Sequence, residues 1–219
     1  MNLFRLDGSI RTAGSVSTEV ADTVEAAWRS EYPYSTVTRR NVGTAPLRPE
    51  SWISAASGQR IPADKRTPEQ AAAAALAAGL ADELIGADAY VFAVPLYNFG
   101  VPQTVKAWMD MLFTDPRFAP GTTSPIAGRP AVLVVSRGGA YGPGTPRDGW
   151  DHSTPWLRRI LADVFGLDLK IIEAELTLAG VNPAMAALRD LAEQSLHHAH
   201  RAAQAHGGEL AQRVATPVA

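Results

Sequence analysis

A chain of 219 residues with 46% hydrophobic content is long enough to bury one sizeable α/β core. Its 20 basic and 22 acidic residues leave a formal net charge of −2, without the clustered basic surplus that a phosphodiester backbone demands, so no nucleic-acid partner is expected. Cysteine is absent; disulfides, thiolate nucleophiles and zinc–thiolate sites are excluded, the expected address is the reducing cytoplasm, and any redox chemistry has to come from a cofactor.

Residues 2–6 are short and apolar, as a buried first strand would be. The N-terminus has no basic region followed by a long apolar core, so it does not read as a secretory signal. The longest apolar run, 71–80, is alanine-rich and too short to span a bilayer. Residues 7–14 read as a loop of glycine and small polar residues. From about residue 15, Val16, Val20, Val24, Ala27 and Trp28 recur at helical spacing, which predicts a helix to about residue 31. Residues 35–40 alternate polar and apolar like a peripheral strand. Residues 42–66 contain Pro46, Pro49, Pro62 and two glycines with no sustained period, and read as a long connection with a job to do.

Thr67-Pro68-Glu69-Gln70 has the makings of a helix start: a capping hydroxyl, a proline in the first turn and a glutamine to close a capping box. That helix should reach about residue 85. Residues 89–95 form a near-continuous apolar strand, the pattern of a strand covered on both faces. Residues 102–113 are amphipathic, with Val105, Trp108, Met109 and Leu112 on one face, read as core or subunit surface. A second buried strand follows at 131–135, Ser153-Thr154-Pro155 opens a helix to about 165, and 169–176 is the last strand. Asn182-Pro183 starts a long C-terminal helix, with 1–210 read as one domain and 211–219 as a frayed tail. Five strands alternating with helices imply a parallel sheet with right-handed crossovers and helices on both faces. Ligands then belong outside the carboxyl ends of the strands.

Three distinctive segments fall immediately after predicted strands. The first is Ser9-Ile10-Arg11-Thr12-Ala13-Gly14-Ser15-Val16-Ser17, where small residues let the backbone curl, hydroxyls supply donors and the next helix offers its positive end. Arg11 adds a fixed charge suited to a phosphate oxygen. Neither a P-loop nor a dinucleotide glycine fingerprint is present. An ordinary serine-capped loop explains this segment, taken alone, equally well. The second is Pro95-Leu96-Tyr97-Asn98-Phe99-Gly100, which would receive a flat ring, although by itself it could simply pack on the following helix. The third is Ser136-Arg137-Gly138-Gly139-Ala140-Tyr141-Gly142-Pro143-Gly144, with four glycines in seven positions. Its amides could bond the polar edge of a pyrimidine-like ring and stabilise negative charge there, unless it is a flexible surface loop. A phosphate cradle, an aromatic wall and an amide wall together have the shape of an FMN site.

These motifs resemble the FMN-dependent NADH-azoreductase and NADH:quinone oxidoreductase family, a flavodoxin-like group. Pro95 to Phe99 resembles its [MP]-x-Y-N-F turn, Ser136 to Gly139 its S-R-G-G turn, and Tyr141-Gly142-Pro143-Gly144 what often follows. Ser9 and Ser15-Val16-Ser17 resemble its phosphate serines, and Lys106-Ala107-Trp108-Met109-Asp110 its next helix. The likeness runs in order over residues 2–204. It implies a flavodoxin-like three-layer sandwich with a five-stranded parallel sheet. Ser9, Arg11, Ser15, Val16 and Ser17 would hold the FMN phosphate, and Pro95, Leu96, Tyr97, Asn98, Phe99, Ser136, Arg137, Gly138 and Gly139 the ring. The implied activity is ping-pong hydride transfer from NADH or NADPH to quinones and azo compounds, in a homodimer. Tyr97, Phe118 and Tyr141 would meet the substrate, Phe118 being similar to an aromatic lent by the partner subunit. Asp7-Gly8 stands where many members have serine or other small residues, and residues 141–152 are richer in Arg, Asp and Trp than the usual loop.

No catalytic side chain is required, because the cofactor carries the chemistry; Tyr141 and His152 are candidates for proton supply, beside ordinary loop roles. His197 and His200 share a helix face without a carboxylate forced to join them, so no metal site is expected. Glu173 and Glu175 read as salt-bridged residues near the end of the last strand. Two other classes compete: an FMN electron carrier of the flavodoxin kind, whose acidic surface and T-x-T-G-x-T loop are missing here, and an acyl-carrier phosphodiesterase-type hydrolase, for which no nucleophile–base pair stands out.

Overall fold

A computed structural model describes residues 1–215. Five parallel strands, β1 (Asn2–Asp7), β2 (Thr36–Asn41), β3 (Ala89–Pro95), β4 (Pro130–Ser136) and β5 (Asp168–Ala174), form one sheet in the order β2-β1-β3-β4-β5. This is the flavodoxin-like arrangement expected from the alternation of elements. The chain reverses direction across the sheet between β1 and β3, and the carboxyl ends there leave the crevice where ligands of such sheets bind.

Every residue of β3 and β4 is buried, which is why both read as continuous apolar runs rather than alternating ones. One face carries aromatics: Phe4, Tyr90 and Phe92 pack against Trp108, Met109 and Leu112 of α4 (Gln103–Leu112), beneath α3 (Pro68–Ile85) and α5 (Thr154–Arg158). Trp108 is fully buried and stacks on Phe4 at 6.0 Å, so the apolar face of α4 is core. The other face is built of smaller residues. Leu3, Val91 and Val134 meet α1 (Val16–Glu31) and α6 (Arg189–Ala215).

The start of α3 closes as its sequence predicts, with the Thr67 hydroxyl accepting from the Gln70 amide and Gln70 returning the bond to Thr67. Three boundaries differ from the sequence reading. Residues 42–66 are not a bare connection: they hold helix α2 (Pro49–Gly58) and a short turn at Ala63–Lys65. Only Ala55 and Gly58 of α2 are buried, so its sequence carries no apolar stripe to read. The helix opened by Ser153 continues as wider π-type turns over Arg159–Val164. The C-terminal helix begins as 3-10 turns at Pro183–Leu188 and becomes α6, which continues to Ala215 rather than fraying from residue 211. Ala211 is buried and its carbonyl accepts from the Tyr32 hydroxyl at 3.1 Å; residues 216–219 lie outside the described residues.

Arg5 anchors the front of the molecule. Its side chain is fully buried beneath α1 and pairs with Asp7 (3.0 Å), Asp22 (2.6 Å) and Glu25 (3.1 Å) while donating to the Thr18 carbonyl. Burial alone would push the Glu25 carboxyl up, but Arg29, Arg39 and Arg5 together hold it below its ordinary value. This network locks the first turns of α1 against the end of β1, where the first candidate loop begins.

Candidate active site

The three segments singled out in the sequence do converge. They line a single cleft that is open to solvent on one side. From the first segment, Ser9, Arg11, Ser15 and Val16 line it. Ser15 caps α1, its hydroxyl accepting from the Thr18 amide at 3.4 Å and lying 3.3 Å from the hydroxyl of the fully buried Ser17. The first-turn amides of a helix have no helical acceptor and carry its positive end. Here they open beside Arg11, whose guanidinium has no carboxylate within 4.0 Å among the described residues. That donor set fits a phosphate dianion.

Tyr97 ties the first loop to the second. Its hydroxyl lies 3.4 Å from the Ser9 hydroxyl and accepts from the Ile10 amide at 3.2 Å. Tyr97 and Gly100 exchange backbone hydrogen bonds at 3.2 and 2.9 Å around Asn98 (φ 49°) and Phe99 (φ 66°). Two successive left-handed residues make a type I′ turn, a position that favours Asn then Gly. Phenylalanine at the second place costs on the order of 1–3 kcal/mol. The strain is held from outside: the Phe99 carbonyl accepts from the His152 amide at 2.9 Å, and its ring meets Trp150 edge-on at 5.4 Å.

The glycine turn after β4 is pinned rather than flexible. The Arg137, Gly138 and Gly139 carbonyls accept from the amides of Thr177, Leu178 and Leu176 at 3.0, 3.3 and 3.1 Å. Gly138 lines the cleft beside Ser136, and the Gly138 and Gly139 amides donate to no acceptor among the described residues. Such a pair fits the acceptor edge of a flavin's pyrimidine ring. The phosphate-type donors of the first loop, Pro95, Leu96 and Tyr97 of the second, and Ser136 and Gly138 of the third line one cleft. The residues present therefore fit FMN.

Two sequence expectations need correction. Arg137 does not offer its side chain to the cleft: the guanidinium is buried among Asp151 (2.7 Å), Glu173 (2.5 Å) and Glu175 (3.1 Å) and donates to Thr154. Glu173 and Glu175 are thus the salt-bridged pair expected. Burial opposes ionisation of Asp151, yet hydrogen bonds from Thr154, the charge of Arg137 and the Ser153 amide hold its carboxyl below the usual aspartate value. Phe118 is not available to a partner subunit, being 3% exposed and packed edge-on to Phe165 at 5.3 Å. Tyr141 packs against Phe99, their ring centroids 6.5 Å apart, and neither residue is among those lining the cleft. His152 is exposed and is held through its backbone amide. His200 faces α1, bonded to the Thr23 hydroxyl at 2.8 Å.

Sequence reasoning missed three contributors. Thr177 and Leu178 line the cleft from the loop after β5, a position the carboxyl-end rule points to but no glycine or aromatic advertises. Gly43 follows β2 and leaves its α-hydrogen against Ser9, where a Cβ would sit 1.9 Å from the Ser9 carbonyl oxygen. A glycine directly after a strand on the ligand edge was the available signal.

Fold and site together define a flavodoxin-like protein, and comparison agrees. A family model described as "Flavodoxin-like fold" matches residues 1–199, and the chain belongs to this family. The chain is 38% identical over 205 residues to an FMN-dependent NADH:quinone oxidoreductase of Parafrankia sp. (strain EAN1pec), covering 93% of this chain and 97% of that one. It is 40% identical over 214 residues to the protein of the same name in Streptomyces avermitilis, covering 97% and 98%. Among solved structures, an azoreductase from Bacillus anthracis str. Sterne superposes with a TM-score of 0.76 at 20% identity, over 95% of this chain and 99% of that chain. An FMN-dependent NADH-azoreductase from Bacillus anthracis str. Ames Ancestor, in complex with FMN, gives 0.75 at 19% identity over 96% and 100%.

Proposed function

We propose that this protein binds FMN in the cleft at the β1–β3 edge and reduces quinones and azo compounds with NADH or NADPH. The observation that carries the reading is the lining of one cleft by the Arg11 charge and the first-turn residues of α1, the apolar and aromatic Pro95, Leu96 and Tyr97, and the unbonded Gly138 amide. Bound FMN supplies a centre that accepts a hydride from the donor and returns it to the acceptor. Ser9, Arg11, Ser15, Val16 and Ser17 hold the phosphate. Pro95, Leu96, Tyr97, Asn98 and Phe99 flank the ring, and Ser136 with the Gly138 and Gly139 amides bonds its polar edge. Arg137 acts through these, fixing the glycine turn from behind. Tyr97 and Tyr141 face the substrate, and Tyr141 and His152 are the candidates for supplying a proton. The chain acts as one unit, in a homodimer, in the cytoplasm. Among the described residues no helix is long and apolar enough to cross a membrane.

Donor and acceptor share one open face, so initial velocities with NADH and a quinone are expected to give parallel double-reciprocal lines. Intersecting lines would contradict that sharing. Replacing Ser17 with Ala removes one buried donor without uncapping α1, as a change at Ser15 would. The FMN dissociation constant is expected to rise about tenfold, the weight of one hydrogen bond to a charged group. A fluorescence titration reads this, and unchanged affinity removes Ser17 from the phosphate site.

A further inference from the structure

Residues 141–152 pack against Phe99 and against Gly139, the neighbour of the cleft-lining Gly138, and carry a cation there. The Arg147 guanidinium lies 5.6 Å from the Tyr141 ring centroid and 5.9 Å from that of Phe99, and donates to the Tyr141 hydroxyl at 3.1 Å. Beneath it is Gly139, where a Cβ would come within 2.9 Å of Arg147 Nη1, so glycine at that position leaves the guanidinium its seat. Among the described residues no carboxylate stands within 4.0 Å of Arg147. The acids of its own loop are committed: Asp148 accepts from the Gly144 amide at 3.2 Å, and Asp151 pairs with Arg137 at 2.7 Å. An uncompensated cation is thus held between two rings on a strained turn, beside aromatic surface left open at Phe99 (39% exposed) and Trp150 (52%).

Resting on the flavin reading above, we infer that Arg147 is a specificity-determining residue, selecting aromatic acceptors that bear a carboxylate or sulfonate directly on the ring. A planar body lies against Phe99 and Trp150 while the anionic group takes the guanidinium donors that Tyr141 leaves free. Arginine's fork of N–H groups matches an oxyanion in this way. The seat against Gly139, next to the cleft-lining Gly138, puts the charge within reach of a ring substituent. A dinucleotide donor carries its phosphates a ribose away from its reacting ring. The acceptor is therefore the occupant this cation favours.

The test compares naphthoquinone with its sulfonated analogue on FMN-loaded wild type, Arg147→Gln and Arg147→Lys, at low and high salt. The ratio of kcat/KM, sulfonated over neutral, is expected to fall about tenfold in Arg147→Gln, mainly through KM. Arg147→Lys retains part of the preference, and salt weakens it in the wild type. A second readout needs no turnover: naphthalenesulfonate perturbs the flavin absorption of the loaded protein, with a dissociation constant about tenfold weaker in Arg147→Gln. Equal ratios in wild type and Arg147→Gln overturn the inference. So does a tenfold fall in kcat/KM for NADH with the acceptor ratio intact, which assigns the cation to the donor. A wild-type protein that takes up no FMN overturns the flavin reading itself, and this inference with it.

Discussion

Gly43→Ala is expected to weaken FMN binding about tenfold to a hundredfold, the affinity equivalent of roughly 1–3 kcal/mol of overpacking. The new methyl would lie 1.9 Å from the Ser9 carbonyl oxygen, 2.3 Å from its carbon and 2.9 Å from the Gly8 carbon. All three are backbone atoms, so no rotamer change relieves the contact. The Val42 and Gly43 amides both donate to the Asp7 carbonyl, at 3.0 and 3.2 Å, which fixes the β2 side of the clash. The Ser9 side must then give way, and it carries the phosphate cradle with it. Gly79→Ala is the matched control: nothing lies within 4 Å of that Cβ, and alanine in a helix interior is favoured over glycine by roughly 0.5–1 kcal/mol. Flavin titration and thermal melting of the two variants separate site damage from general destabilisation. FMN affinity unchanged in Gly43→Ala would detach the β2 loop from the site.

Arg137→Ala is expected to lower stability by about 3–5 kcal/mol, because removing one member of a buried ion network strands its partners. Three carboxylates lose their counter-charge. The effect should fall near the lower end, since Glu173 is 45% exposed and water screens it. The same network has a pH signature. The folded Asp151 carboxyl is held below its ordinary value of 3.8, so the fold prefers its ionised form. That contribution is fully present above the unfolded pKa and is lost as pH falls through the lower folded value. Glu25 acts in the same direction, below its ordinary 4.5. Wild-type stability should therefore decline on acidification below about pH 4, and the decline should be shallower in Arg137→Ala, where part of the pull on Asp151 is already gone. Denaturant melts across pH check both, and a wild-type midpoint in Arg137→Ala would contradict the structural role.

Much of this was readable from residue order because local signals and tertiary demand agree. The run Ala89 to Pro95 is apolar throughout because both faces of β3 are covered, and Thr67 with Gln70 closes a cap that needs no distant partner. The candidate loops were legible for a related reason: parallel strands deliver all their carboxyl ends to one edge, so three odd segments after three strands had to be neighbours. Arg137 was misread because its partners Asp151, Glu173 and Glu175 lie far along the chain, and nothing local distinguishes a ring-facing arginine from a buried strut. Phe118 was misplaced likewise: its cover, Phe165, comes from the end of another helix. Helix α2 escaped notice because it rests on the surface, with Trp52 and Ile53 still exposed. The packing of residues 141–152 rests on a Phe99 with φ 66°, a strain that only backbone angles reveal.

Every role assigned to these loops depends on the flavin. The most direct test is to purify the protein, add FMN, remove excess and oxygen, and record the visible spectrum before and after one equivalent of NADH. A yellow protein retaining about one flavin per chain, bleached by NADH and restored by a quinone, is the predicted result. A colourless protein that retains no FMN, or a flavin spectrum that neither NADH nor NADPH changes, would contradict it.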